Sequence, residues 1–390
     1  MKLKLKFLFF AAIIFCTYSC STKGDGSVSE VIVNGNTMYV LSLDNLKSKT
    51  ITLPISSLVE DCSLVQLESD ENAYVNPWFT TVTDKHIGVR QEGRPYMLFD
   101  RSGKFLCTVG AIGQGPGEYS GTLYDDIIDE KTGLIYLSPF SGNKIYVYNT
   151  SGNFVKEIVS PQWLAKSKIF LSDSILTLVH MAMKHENPEN QAANAADAIA
   201  IQFDVNTGKV LKELPPPANF VVKNFDGEIF NTRNTQGIFD FLHTSSDTLY
   251  HFDVKSNKIL PFFTMTFNSS EKPYKQYFQL NKDMVLTLIF GKGLVATDLK
   301  NKTSSWIIAV NDYYGNIPAP TYIMNLRNGY WVQNIQPEQL IEIIENRLAQ
   351  SSCTENDKQA LNKTLSTLKA GENNVVFVGK LKSEVKTKMW

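Results

Sequence analysis

From residue 51 onward the chain is written in short apolar runs separated by polar turns. Residues 96–109 show the unit: Tyr96, Leu98 and Phe105 belong to two apolar runs, and Asp100-Arg101-Ser102-Gly103 between them supplies a turn whose glycine adopts φ > 0 without steric cost. The same order of apolar run, Asp or Asn, polar turn and apolar run returns at 145–158, 200–214, 249–263 and 294–308. Its anchors are Asp100, Asn149, Asp204, Asp253 and Asp298, separated by 49, 55, 49 and 45 residues. A hairpin recurring at that interval, with room for four short strands per unit, predicts propeller blades.

Six blades fit, at about 74–110, 118–160, 163–217, 224–267, 277–316 and 318–382. The sixth is one strand short, and the early apolar segment 64–67 is predicted to complete it, so that the ring closes without an exposed edge. Helical periodicity is confined to one place. Pro337-Glu338 opens a run in which Leu340, Ile341, Ile344 and Leu348 share a face, and Leu361, Leu365 and Leu368 mark a second. The expected fold is therefore all-β: a six-bladed β-propeller of four-stranded antiparallel blades over 51–390, with a helical hairpin inserted in the last blade at about 337–370.

The first twenty residues read as an export signal. Lys2, Lys4 and Lys6 precede a short apolar run at 7–15, too short to span a bilayer. It ends in Thr17-Tyr18-Ser19-Cys20, which resembles a bacterial lipoprotein signal; the resemblance makes Cys20 the lipid-attachment residue and, with Ser21 after it, points to the outer membrane, facing either side. Residues 21–50 read as a polar, glycine-bearing tether and lead-in.

Composition narrows the function without choosing it. Hydrophobic content of 43% and charged content of 20% are ordinary for a globular protein, and a formal net charge of −1 offers no electrostatic basis for nucleic-acid binding. Cys62, Cys107 and Cys353 remain beyond the leader, an odd number with no CxxC spacing; one disulfide is compatible with them and none is required.

The motif GAIGQGPGEY at 110–119, with the repeat and the leader, resembles the six-bladed β-propeller lipoproteins of bacteria, relatives of the NHL-repeat propellers. Residues 53–69 are similar to that family's opening strand and 373–382 to its closing strand. The resemblance implies architecture and address. It implies no reaction.

A site follows from parity. A four-stranded antiparallel blade returns the chain to the face where it entered, so every blade-to-blade connector and every turn between second and third strands shares one face. This gathers a rim of Arg94, Gln114, Glu118, Tyr119, Lys144 and Trp163, with Phe220, Tyr274, Tyr313, Tyr314, His185, His243 and Lys292, beneath the helical insert. Aromatic rings stack and charges orient, so the ligand expected there is a glycan or a peptide. The competing account is structural: aromatics wedged between blades, and Glu118 bonding the amides of its own glycine turn. No catalytic, cofactor or metal residues are assigned. His180 and His185 differ in setting, His251 is expected to face outward, Asp125 and Asp126 are expected on opposite sides of a strand, and no GxSxG elbow or phosphate-cradling loop occurs. The chain thus reads as a cell-envelope lipoprotein and non-catalytic binding module; the alternatives are a lyase or hydrolase acting at the central channel, and a structural partner of an envelope protein assembly.

Overall fold

The computed structural model describes residues 24–383 apart from 48, 70, 185–196, 225, 269–272 and 321–323. The leader with Cys20, and His185, lie outside the described residues. Within them the chain forms six four-stranded antiparallel blades about one axis. The first blade runs Pro77–Val82, His86–Gln91, Arg94–Asp100 and Phe105–Val109 from the axis outward, each strand paired with the next. In the sixth, Met324–Arg327, Tyr330–Ile335 and Val375–Lys380 are followed by Ser63–Gln66, which pairs antiparallel with Val375–Lys380 and closes the ring.

The repeat signal has a physical origin. Each anchor is the last residue of a third strand, and its side-chain oxygen accepts backbone N–H bonds from the turn that follows. Asp100 accepts from Ser102 and Lys104 at 2.8 and 3.0 Å, Asn149 from Ser151 and Asn153 at 3.0 Å each, and Asp204 from Asn206 and Thr207 at 2.9 and 2.8 Å. Asp253 and Asp298 cap their turns in the same way. These Asx turns mimic backbone turns and fix the hairpin register. The sixth blade takes its outer strand from the other end of the chain, so it has no such turn and no anchor.

Residues 21–50, expected as tether and lead-in, include folded strands. Val28–Val33 and Asn36–Ser42 form an antiparallel hairpin turned at Asn34-Gly35, both with φ > 0. Asn36–Ser42 then pairs parallel with Lys258–Thr266, extending the fourth blade, and Thr50–Pro54 pairs parallel with Thr303–Asn311 of the fifth. Leu41 is fully buried at that junction.

Helices α1 (Pro337–Leu348) and α2 (Glu355–Leu365) lie between the second and third strands of the sixth blade. Proline starts α1, and Thr354 with Asp357 forms a capping box on α2. Leu340, Ile344 and Leu361 are buried in one cluster with Leu53, Ile55 and Trp331, each contributing about 1.5–3 kcal/mol by leaving water. Arg347, largely buried, bonds the carbonyl of Gly315 at 3.1 Å and Asp357 at 3.0 Å, which fixes the hairpin over the junction of the fifth and sixth blades.

One loop crosses the axis. The first strand of the fourth blade is only Ile229–Phe230, after which residues 231–234 leave the sheet. Arg233, at φ 54°, donates to the carbonyls of Ile169 and Asp126, both at 2.8 Å. Asn234 donates to those of Gln279 and Leu326, both at 2.9 Å. Those four carbonyls belong to the third, second, fifth and sixth blades, so the loop ties the innermost strands together across the channel.

Candidate binding site

Strand order defines two faces. The connector face carries the starts of the first strands and the second-to-third turns; the turn face carries the first-to-second and third-to-outer turns. At the axis on the connector face, Pro77, Trp78, Phe79 and Thr80 of the first blade meet Gln276, Phe278, Leu288 and Phe290 of the fifth and Met324, Asn325, Val332 and Asn334 of the sixth, around a cavity of about 290 Å³. Trp78 and Phe290 are each 47% exposed, and Tyr274, whose ring lies 4.9 Å from that of Phe290, is 46% exposed. The Trp78 ring is backed edge-on by the buried Tyr124 at 6.3 Å, which in turn meets Phe140 at 5.8 Å. Two of the amides are held in place: Asn325 donates to the carbonyl of Thr80 at 2.7 Å, and Asn334 donates to its hydroxyl at 2.9 Å.

Beneath the mouth lies a sealed charge cluster. Asp125 and Asp126 are fully buried, and Arg90 and Arg327 nearly so. Arg90 Nε donates to Asp126 at 2.7 Å; Arg327 bonds Asp125 and reaches Asp126 at 3.4 Å; Arg233 stands 3.9 Å from Asp125. The Tyr96 hydroxyl donates to Asp126 at 2.9 Å. Burial by itself raises the Asp125 carboxyl, but Arg327, Arg233 and Lys168 outweigh it and hold it well below the usual carboxylate range; at Asp126 burial is likewise outweighed by Arg90 and Arg327, which lower its carboxyl. Burial pushes the Lys168 ammonium far down, and its Nζ sits 4.0 Å from the Tyr124 ring centroid. The guanidinium groups of Arg90 and Arg327 lie 4.6 and 5.2 Å from the Phe79 ring centroid, so a lining aromatic of the mouth rests on this cluster.

The residues expected to share one rim fall in separate places. Gln114, Glu118 and Lys144 do meet, but in an outer cleft of about 810 Å³ with Phe154, Lys156 and Glu157, away from the axis. Glu118 accepts from the Gly115 amide at 2.8 Å, and Lys144 is paired with Glu157 at 2.8 Å. A Cβ on Gly113 would come within 2.0 Å of the Glu118 carboxylate, which is why glycine stands there. Tyr119 is not a rim residue: it is fully buried, accepting from the Tyr96 amide at 2.8 Å and donating to the Val109 carbonyl at 2.9 Å. Arg94 lies exposed at the start of a third strand, and Trp163 is 55% exposed near the end of a long outer strand; neither lines the cavity. Nor does any helical residue, so the insert is no cover for the mouth. Phe220 is buried as a wedge against Tyr250 and His243.

Packing decides the other expectations. Asp125 and Asp126 face opposite neighbours as alternation requires, Asp125 accepting from the Ile169 amide of the third blade at 2.8 Å and Asp126 from Arg90 and Tyr96 of the first, while Arg327 of the sixth blade reaches both. His251 does not face freely outward: it stacks on Phe262 at 4.1 Å and bonds Gln279 at 2.7 Å. His180 and His243 are fully buried, and burial pushes each imidazole down to about 4. His86 lies on the turn face, bonded to Glu130 at 2.9 Å. Among the described residues no three His, Cys, Asp or Glu side chains are grouped to hold a metal, and Cys62, Cys107 and Cys353 are free thiols. Trp78 and Phe290 escaped the sequence reading because nothing in their spacing relates them; only the ring brings them together.

Comparison with one solved structure gives the same fold. A Bacteroides fragilis protein named as exported matches at 13% identity with a TM-score of 0.59, covering 88% of this chain and 99% of its own. A member of the DUF4221 family from Bacteroides vulgatus matches at 12% identity with a TM-score of 0.46, covering 84% of this chain and 98% of its own. No curated protein matches the sequence. The family described as a Domain of unknown function (DUF4934) matches over residues 38–380. With nearly all of the propeller inside that match, the chain belongs to the DUF4934 family.

Proposed function

We propose that this protein is an exported, lipid-anchored envelope propeller of the NHL-like lipoprotein kind, and that it binds an oligosaccharide at the connector-face mouth. The carrying observation is the mouth itself: exposed Trp78 and Phe290, the latter backed by exposed Tyr274, at a cavity of about 290 Å³ whose polar lining is uncharged, Thr80 and the amides Gln276, Asn325 and Asn334. Aromatic faces suit the apolar faces of sugar rings, and amides both donate and accept to hydroxyls. Ionic groups are withheld from the ligand, since the nearby arginines and aspartates are buried against one another. Those aspartates are held ionised, so neither is poised to donate a proton as a glycoside-cleaving acid must. The leader supports the address: Lys2, Lys4 and Lys6, the apolar run at 7–15 and Cys20. The similarity to a protein named as exported agrees with it.

The test is a glycan array followed by calorimetry on the glycans retained. Trp78→Ala and Phe290→Ala are each expected to weaken binding about tenfold, an effect of about 1.4 kcal/mol, with melting temperature little changed. Arg94→Ala and Trp163→Ala, on the same face but outside the cavity, are expected to change affinity by less than about threefold, or about 0.7 kcal/mol. Undiminished glycan binding in both mouth variants refutes the site, and retention of peptides alone refutes the ligand class.

A further inference from the structure

The position of the first described residues carries an inference about how the molecule sits on its membrane. Gly24 packs against the third-to-outer turn of the fifth blade so closely that a Cβ there would lie 2.6 Å from the Lys302 carbonyl and 2.9 Å from the Lys302 Cβ. The segment that follows is fastened. Lys302 pairs with Glu30 at 3.1 Å, Asn45 donates to the Gly26 carbonyl at 3.0 Å, and the Ser42 amide bonds the Ser27 carbonyl at 2.8 Å. Beyond it, Asn36–Ser42 is built into the fourth blade by its parallel pairing. The chain therefore leaves the folded body at a fixed point, and that point lies on the turn face. The mouth lies on the other: Trp78 and Asn325 stand near the starts of first strands, and Phe290 in a second-to-third turn.

Only four residue steps separate Gly24 from Cys20. Fully extended, they reach at most about 14 Å. A first strand of six residues such as Pro77–Val82 is roughly 20 Å long. The leash is thus shorter than the blade is tall, and a lipid on Cys20 cannot be carried round to the connector face.

We infer that the bilayer is the partner of the turn face: the anchor draws that face toward the lipid and leaves the aromatic mouth directed away from it. This rests on the reading of Cys20 as the acylated residue. Exposed Lys300 lies in the third-to-outer turn of the fifth blade and exposed Lys292 in the second-to-third turn of the same blade, so the two report opposite faces at one azimuth. Ser102 lies in the corresponding third-to-outer turn of the first blade, across the ring.

The experiment uses the full-length protein, processed in bacteria and reconstituted in vesicles of phosphatidylethanolamine and phosphatidylglycerol containing headgroup spin-labelled lipid. Environment-sensitive dyes are placed singly at Lys300→Cys, Ser102→Cys or Lys292→Cys, in a background with Cys62 and Cys107 changed to Ser and melting checked. Mass spectrometry of the N-terminal peptide tests acylation separately. The expected result is acylated protein in which quenching at 300 and 102 exceeds that at 292 by at least about threefold. Acylated protein with equal or reversed quenching overturns the orientation and leaves the anchor standing. Unacylated protein that stays off vesicles overturns both.

Discussion

Single residues show how far burial can be offset. His180 and His243 are buried as neutral imidazoles, and burial, with their mutual repulsion at His243, brings both from the ordinary 6.5 to about 4. The unfolded chain takes up their protons first, so their contribution is fully present above about pH 6.5 and is lost as pH falls toward 4. It is worth roughly 3 kcal/mol for each histidine. Urea unfolding between pH 7 and 4.5 should show that decline, and His180→Phe with His243→Phe should flatten it. The axial cluster behaves differently, because its carboxylates remain ionised to lower pH. Arg327→Met, which strips Asp125 and Asp126 of a shared partner, is expected to cost about 3–5 kcal/mol, read as a lowered urea midpoint. None of this cluster was legible beforehand. Arg90, Asp126, Arg233 and Arg327 are scattered over more than half the chain, and alternation along one strand carries no sign that an arginine of another blade reaches both aspartates.

At the scale of elements, what the sequence disclosed was what local chemistry enforces. Five hairpins announced themselves because an Asx turn needs Asp or Asn at one place in each. The helical insert was plain from its spacing and its proline start. The hairpin at 28–42 was legible too, since Asn34-Gly35 between alternating apolar residues is a strong two-residue turn signal; reading the stretch by its polar, glycine-bearing composition hid it. Its contribution is measurable. Leu41→Ala should cost about 2–4 kcal/mol, because a fully buried leucine at the fourth-blade extension leaves a cavity. Thr354→Ala, which removes the capping box of α2, should cost about 1 kcal/mol. Calorimetry or urea titration separates the two.

For the molecule as a whole, ring closure joins residues some three hundred positions apart: Val65 lies opposite Val376 and Leu64 opposite Phe377. A chain beginning at residue 46 loses the outer hairpin but keeps the closing strand, and is expected to unfold cooperatively at a lower temperature. A chain beginning at residue 68 exposes the edge of Val375–Lys380, and is expected to aggregate on size-exclusion chromatography. The architecture was readable because closure obeys a counting rule, a blade one strand short and a spare strand at the start. The mouth was not, because its lining comes from the inner strands of three blades far apart in sequence, which only the closed ring brings together.

That loop has a further consequence. With Arg233 and Asn234 bonded to the innermost strands of four other blades, the hole of the ring is stoppered midway. A solute entering the axis from either face therefore meets this crossbar before it reaches the far side.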